Sequence, residues 1–171
     1  MSTSTTSTGQ GQRRLMVIGV ADLAVSADES IEMVTHALGS GMIVAAYDPL
    51  RRCGGLVRFL LPRAPGLAAE EEKPLAFAES GIPMLLAALQ KLGADDDRLL
   101  IKLAGAAHFL KTTNAFNTGL QNLRATEEVL TAHGLDVAAS ATGGIASLNA
   151  RFRIADGALT VVAPGANPLV L

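Results

Sequence analysis

From Leu15 onward the chain is cut into short apolar runs divided by turn residues, and this segmentation restricts the fold more than any other feature. Residues 15–20, 31–34, 42–47 and 56–61 are rich in Val, Ile, Leu and Met, the pattern of strands. Between the last two, Asp48-Pro49, Arg51, Arg52 and Gly54-Gly55 read as a hairpin. Further strands are predicted at 99–103, 135–139, 150–154 and 159–162. Arg151, Phe152, Arg153 and Ile154 alternate as an antiparallel strand with one wet face should, and Asp156-Gly157 turns the chain into the next strand. Only two stretches have the pattern and length of a long helix. The first, 75–91, stops near Gly93 and contains Pro83, which removes one hydrogen bond and favours a bend; residues 63–73 form the loop leading into it. The second, 118–133, is capped by Asn117 and stops at Gly134, with Leu120, Leu123 and Leu130 on a mostly apolar stripe. Many strands with two helices predict an α/β protein that is not a regular βαβ winding.

The 171 residues suit one domain, and a 49% hydrophobic, 18% charged composition is that of a compact globular chain. Aromatics are only 4%, so the core must be built from Ala, Leu, Val and Ile. The expected organisation is a disordered tail over 1–14, where Ser and Thr replace the apolar side chains that would offset ordering, a single domain over 15–163, and a C-terminal tail over 164–171 with two prolines. A net charge of −2 carries no basic footprint for nucleic acid. No apolar run approaches the roughly 20 residues of a membrane span, so no membrane insertion and a cytoplasmic location are expected. One cysteine, Cys53, excludes an intrachain disulfide. His36, His108 and His133 lack metal-ligand spacing, and neither a metal nor a cofactor is predicted. The Glu70-Glu71-Glu72-Lys73 and Asp95-Asp96-Asp97 runs read as solvated charge beside helices.

Thr35-His36-Ala37-Leu38-Gly39-Ser40-Gly41, followed by an apolar strand and Tyr47-Asp48-Pro49, resembles the T-x-x-L-G-S-C signature of the chemoreceptor glutamine deamidase family, CheD. The stretch from Gly54-Gly55 through Arg58 to Leu61-Pro62 is similar to that family's G-G-x-x-H-x-x-L-P. Lys102 to Ala107 resembles its K-x-x-G-G-A turn, Asn117 to Asn122 its N-I-G-x-R-N, and Thr142-Gly143-Gly144 its late G-G motif. The five matches keep their order and nearly their spacing from about Leu15 to about Val162. The resemblance implies an α/β sandwich of two sheets flanked by helices, as in toxins of the cytotoxic necrotizing factor type. It also implies a cysteine hydrolase of receptor glutamine side chains in bacterial chemotaxis, and a CheC-type phosphatase that binds over the active site.

Amide hydrolysis needs a nucleophile, a base and donors for the oxyanion. In the resemblance the nucleophilic Cys falls on Gly41, the His base on Arg58, and the Thr that orients the base on Thr35. Gly41 has no side chain, and a guanidinium keeps its proton at physiological pH, so Thr35 is left with no base to orient. The late motif reads Gly143-Gly144-Ile145-Ala146-Ser147-Leu148, without the family's polar side chains, and the acidic residues preceding it are matched by Ser140 and Ala141. The expectation is a degenerate site at Thr35, Gly41 and Arg58, in a non-catalytic scaffold that binds a chemoreceptor cytoplasmic domain or a CheC-type partner. Thr35, Ser40, Arg58 and His108 are the candidate binding residues. Two alternatives stand: a deamidase or amidohydrolase with Cys53 or Ser40 as altered nucleophile, and a small-ligand sensor using the pocket emptied at Gly41. Arg58 either pairs with a carboxylate in the groove or turns outward to solvent or a surface acid.

Overall fold

The computed structural model describes residues 13–108 and 117–171, so the tail expected over 1–14 lies almost wholly outside the described residues. The strands are β1 (Arg14–Val17), β2 (Asp22–Ser26), β3 (Ile31–Leu38), β4 (Met42–Asp48), β5 (Cys53–Phe59), β6 (Leu100–Gly105), β7 (Val137–Thr142), β8 (Leu148–Arg153), β9 (Leu159–Val162) and β10 (Leu169–Val170). The helices are α1 (Leu67–Glu72), α2 (Ala78–Lys91) and α3 (Thr118–Ala132), with short 3-10 turns at Pro74–Ala76 and Asp96–Arg98.

The strands form two five-stranded sheets, ordered β1-β3-β8-β9-β10 and β2-β5-β4-β6-β7. Pairing is antiparallel except for β1 with β3 and β6 with β7. Alternation along the β4–β5 hairpin sends its two faces to two cores. Ile43, Ala45, Tyr47 and Leu56 meet Met33, Leu38, Phe152 and Leu159 between the sheets. Met42, Val44, Val57 and Phe59 face Ile82, Leu85 and Leu89 of α2 and Ala125 and Leu130 of α3. The fold is therefore a two-sheet α/β sandwich with helices packed outside the second sheet, and its interior is dominated by aliphatic side chains.

Three elements depart from the sequence reading. Asp22–Ser26 forms an edge strand against β5; with only Leu23 and Val25 as large apolar residues, its pattern was too thin to mark a strand. Residues 67–76, read mainly as loop, hold α1 and a 3-10 turn, and α2 begins only at Ala78. Leu169–Val170 extends the first sheet beside β9, a pairing that the nearby prolines concealed.

Candidate functional site

The five motifs, scattered through the sequence, meet in one hydrogen-bonded cluster at the end of the sandwich where β4 begins and β5 ends. After β6 the chain turns through Ala106, at φ 57°, and sends two N–H groups back to the 39–41 loop: Ala106 to the Gly41 carbonyl at 2.9 Å and Ala107 to that of Gly39 at 3.0 Å. The α3 N-terminus packs on the same turn; a Cβ on Gly119 would stand 2.5 Å from the Ala106 carbonyl oxygen, which is why glycine is needed there. Asn117 caps α3 as predicted, accepting from the Leu120 N–H at 3.0 Å. One turn on, fully buried Asn122 donates through Nδ2 to the carbonyls of Ser40 and Leu60, both at 2.8 Å. Asn122 was not singled out from sequence, although its position at the end of the Asn117–Asn122 motif was a usable signal. Finally, Gly143 N–H donates to the Gly105 carbonyl and His108 N–H to that of Gly144, which ties the late Gly-Gly loop to the cluster.

Within this frame, Thr35 and Arg58 are in direct contact. Arg58 lies on the face of β5 turned toward the first sheet and is 8% exposed. Its Nη1 donates to Thr35 Oγ1 at 2.7 Å and to the His36 carbonyl at 2.9 Å, and Nη2 reaches the Ala37 carbonyl at 3.4 Å. Thr35, fully buried, donates its hydroxyl proton to the Ile18 carbonyl at 2.8 Å. The accepting carbonyls belong to a bulge in β3, where the register shifts between Thr35 and Leu38 and Ala37 takes φ 51°. Thr35, read from sequence as left with no base to orient, is instead an acceptor for the Arg58 guanidinium, and Arg58 does not turn outward to solvent or a surface acid. Burial lowers the Arg58 pKa, and Arg58 forms no ion pair among the described residues.

Gly41 stands beside this pair, one residue before the ladder that matches Met42 with Phe59 and Ile43 with Arg58. A Cβ built on Gly41 would lie 2.7 Å from the Phe59 carbonyl oxygen, closer than real contacts allow. A side chain at this position would therefore require the β4–β5 backbone to shift.

The other candidates are not brought to the site as active groups. Cys53 pairs with Asp48 at the opposite end of the hairpin, about 20 Å from Phe59 at the strand rise per residue. It is fully buried, and burial, reinforced by the Asp48 charge, raises its thiol pKa and disfavours the thiolate. Cys53 is thus buried at the far end of the hairpin from the Thr35–Arg58 pair. Ser40 offers its carbonyl to Asn122, while its hydroxyl makes no hydrogen bond among the described residues. His108 is exposed at the rim and contributes only its N–H, His36 is exposed on the bulge, and His133 caps the C-terminus of α3. Among the described residues no three His, Cys, Asp or Glu side chains converge on a metal position, and no helix is long and apolar enough to cross a membrane.

A family model described as CheD chemotactic sensory transduction matches residues 60–163, more than half of the chain. The chain belongs to the CheD family. Among its CheD relatives is a probable chemoreceptor glutamine deamidase, CheD 2, of Anaeromyxobacter dehalogenans. It is 36% identical over 149 residues, which span 86% of this chain and 93% of the relative. The probable chemoreceptor glutamine deamidase CheD 1 of Syntrophus aciditrophicus is 32% identical over 152 residues, 88% of this chain and 94% of the relative. A third, from Caldanaerobacter subterraneus, is 34% identical over 153 residues and covers 88% and 93%. The CheD-family match begins at Leu60, immediately beyond the Arg58–Phe59 end of β5.

Proposed function

We propose that this CheD-family chemotaxis protein binds protein at the family's site without converting it. The observation that carries the reading is the position of the Arg58 guanidinium. It occupies the place that the resemblance assigns to the base and engages Thr35, yet it cannot accept a proton from a thiol or hydroxyl. Gly41 supplies no nucleophile, and a Cβ there would stand 2.7 Å from the Phe59 oxygen unless the backbone shifted. The frame around the site, in contrast, is retained: the Asn122 side-chain amide and the Ala106, Ala107 and Gly143 N–H groups hold its loops by hydrogen bonds to backbone carbonyls that do not depend on the lost groups. A retained frame with unsuited chemistry favours recognition over turnover. The partner is a chemoreceptor cytoplasmic domain or a CheC-type phosphatase, encountered in the cytoplasm.

The test is incubation of the purified protein with a chemoreceptor cytoplasmic fragment, with deamidation read by mass spectrometry and complex formation by gel filtration in the same samples. A complex without deamidation is expected. Deamidation by the unaltered protein would sink the non-catalytic reading. Absence of a complex with both the fragment and a CheC-type phosphatase would remove the proposed partners. A Gly41→Cys/Arg58→His protein is expected to stay inactive unless the β4–β5 backbone relaxes away from the Phe59 oxygen.

A further inference from the structure

Arg58 carries a charge that no ion pair among the described residues neutralises. Both Nη1 donors are used, on Thr35 Oγ1 and the His36 carbonyl, and Nη2 makes one long bond of 3.4 Å. Nε is shielded from solvent and has no hydrogen-bond partner. The acid directly across from it on β2, Asp22, is turned to its own loop, accepting from the N–H groups of Gly19 and Leu23. Arg58 forms no ion pair among the described residues, and residues 1–12 and 109–116 contain no Asp or Glu.

The acceptors that surround the guanidinium all come from 35–37 of β3. Its other edge, Nε–H with the second Nη2–H, is the two-donor fork that grips a planar oxyanion. We propose that this edge binds a carboxylate, so that the site recognises a glutamate side chain in a partner protein and discriminates against glutamine. The discrimination follows from donor counting. A carboxylate offers an acceptor to each N–H of the fork, whereas an amide offers one acceptor and sets its own NH2 against the second donor. Binding requires an outward shift of the guanidinium, because Nε is closed in the free protein. The inference rests on the protein-binding reading above and adds the chemical state that the partner must have.

Two versions of one chemoreceptor cytoplasmic fragment, with Gln or with Glu at the deamidation sites, would be titrated against the unaltered protein, Arg58→Gln and Arg58→Lys. The unaltered protein is expected to bind the Glu version about tenfold more tightly, since a charge-assisted fork outweighs a single neutral bond. Arg58→Gln should bind both versions alike, and Arg58→Lys should keep only part of the preference. Equal binding of the two versions by the unaltered protein overturns the carboxylate site and leaves the protein-binding reading standing. If neither version binds, the receptor falls as partner, and the thermal midpoint of the protein alone with acetate, acetamide or phosphate decides. A saturable rise with acetate that Arg58→Gln lacks supports the site; no rise, a rise shared by the variant, or one with phosphate alone overturns it. Should Arg58→Gln fail to fold, the unaltered protein and Arg58→Lys still give the answer.

Discussion

Gly41 and Thr35 show how far the identity of one residue constrains this site. The contact that a Cβ at position 41 would make with the Phe59 oxygen is with backbone, which cannot rotate aside as a side chain can. Gly41→Ala is therefore expected to lower stability by about 1–3 kcal/mol, the usual effect of overpacking, measured by chemical denaturation. An unchanged midpoint would mean that the strand end yields freely and that a cysteine fits there after all. Thr35 sits between two buried groups, accepting from Arg58 and donating to the Ile18 carbonyl. Thr35→Val strands both and should cost about 1–3 kcal/mol, with Thr35→Ser restoring most of it. That the positions which the resemblance assigns to nucleophile and base hold Gly41 and Arg58 could be read from the sequence. That Arg58 lies inward, bonded to a bulge, could not, because the bulge arises from the pairing of β3 with a strand more than a hundred residues away.

At the scale of elements, the β4–β5 hairpin sets the register on which the site depends, and its far end is locked by Asp48. This carboxylate is fully buried and accepts from the N–H groups of Leu50, Arg51 and Asp95 and from the Arg98 guanidinium at 2.8 Å. Burial pushes its pKa up, but the Arg98 bond and the three backbone donors prevail and hold it well below the usual carboxylate range. The sign of the pH effect follows. The stabilisation is fully present above the unfolded value, about 3.9, and is lost as pH falls below it toward the lower folded value. Asp48→Asn should lower stability near neutral pH by about 2–4 kcal/mol and flatten the loss below pH ~4. An identical acid profile in the variant would show that other carboxylates govern acid unfolding. The Asp95-Asp96-Asp97 run, read from sequence as solvated charge, is partly structural: Asp95 binds Arg98 at 2.7 Å and its N–H is held by Asp48. Sequence alone could not show this, since Asp48 and Asp95 are brought together only by the fold.

For the whole molecule, Cys53 reports on integrity because it is buried among residues of the β4–β5 hairpin and α2. Its reaction with a thiol reagent is expected to follow opening of the second sheet, slow in native buffer and rising with denaturant in step with unfolding. Rapid labelling that ignores denaturant would contradict its burial. The same placement keeps the thiol out of any chemistry at the opposite end of the hairpin.

Local pattern decided much of this protein in advance. Short apolar runs and Gly, Asn and Asp turns specify hairpins such as β4–β5 and β8–β9, and periodic leucines with an Asn cap specify α3, because each depends on neighbours a few residues away. The resemblance of five motifs likewise pointed to the family and the sandwich. Tertiary structure alone decided what depends on distant chain segments meeting. It placed the weakly patterned β2 and β10 on sheet edges, made Asn122 the bridge between the 39–41 loop and the end of β5, and put Cys53 out of reach. It also brought Thr35 against Arg58, whose charge no acid among the described residues answers with an ion pair. Burial and long-range register determine those outcomes, and neither is encoded in any window of adjacent residues.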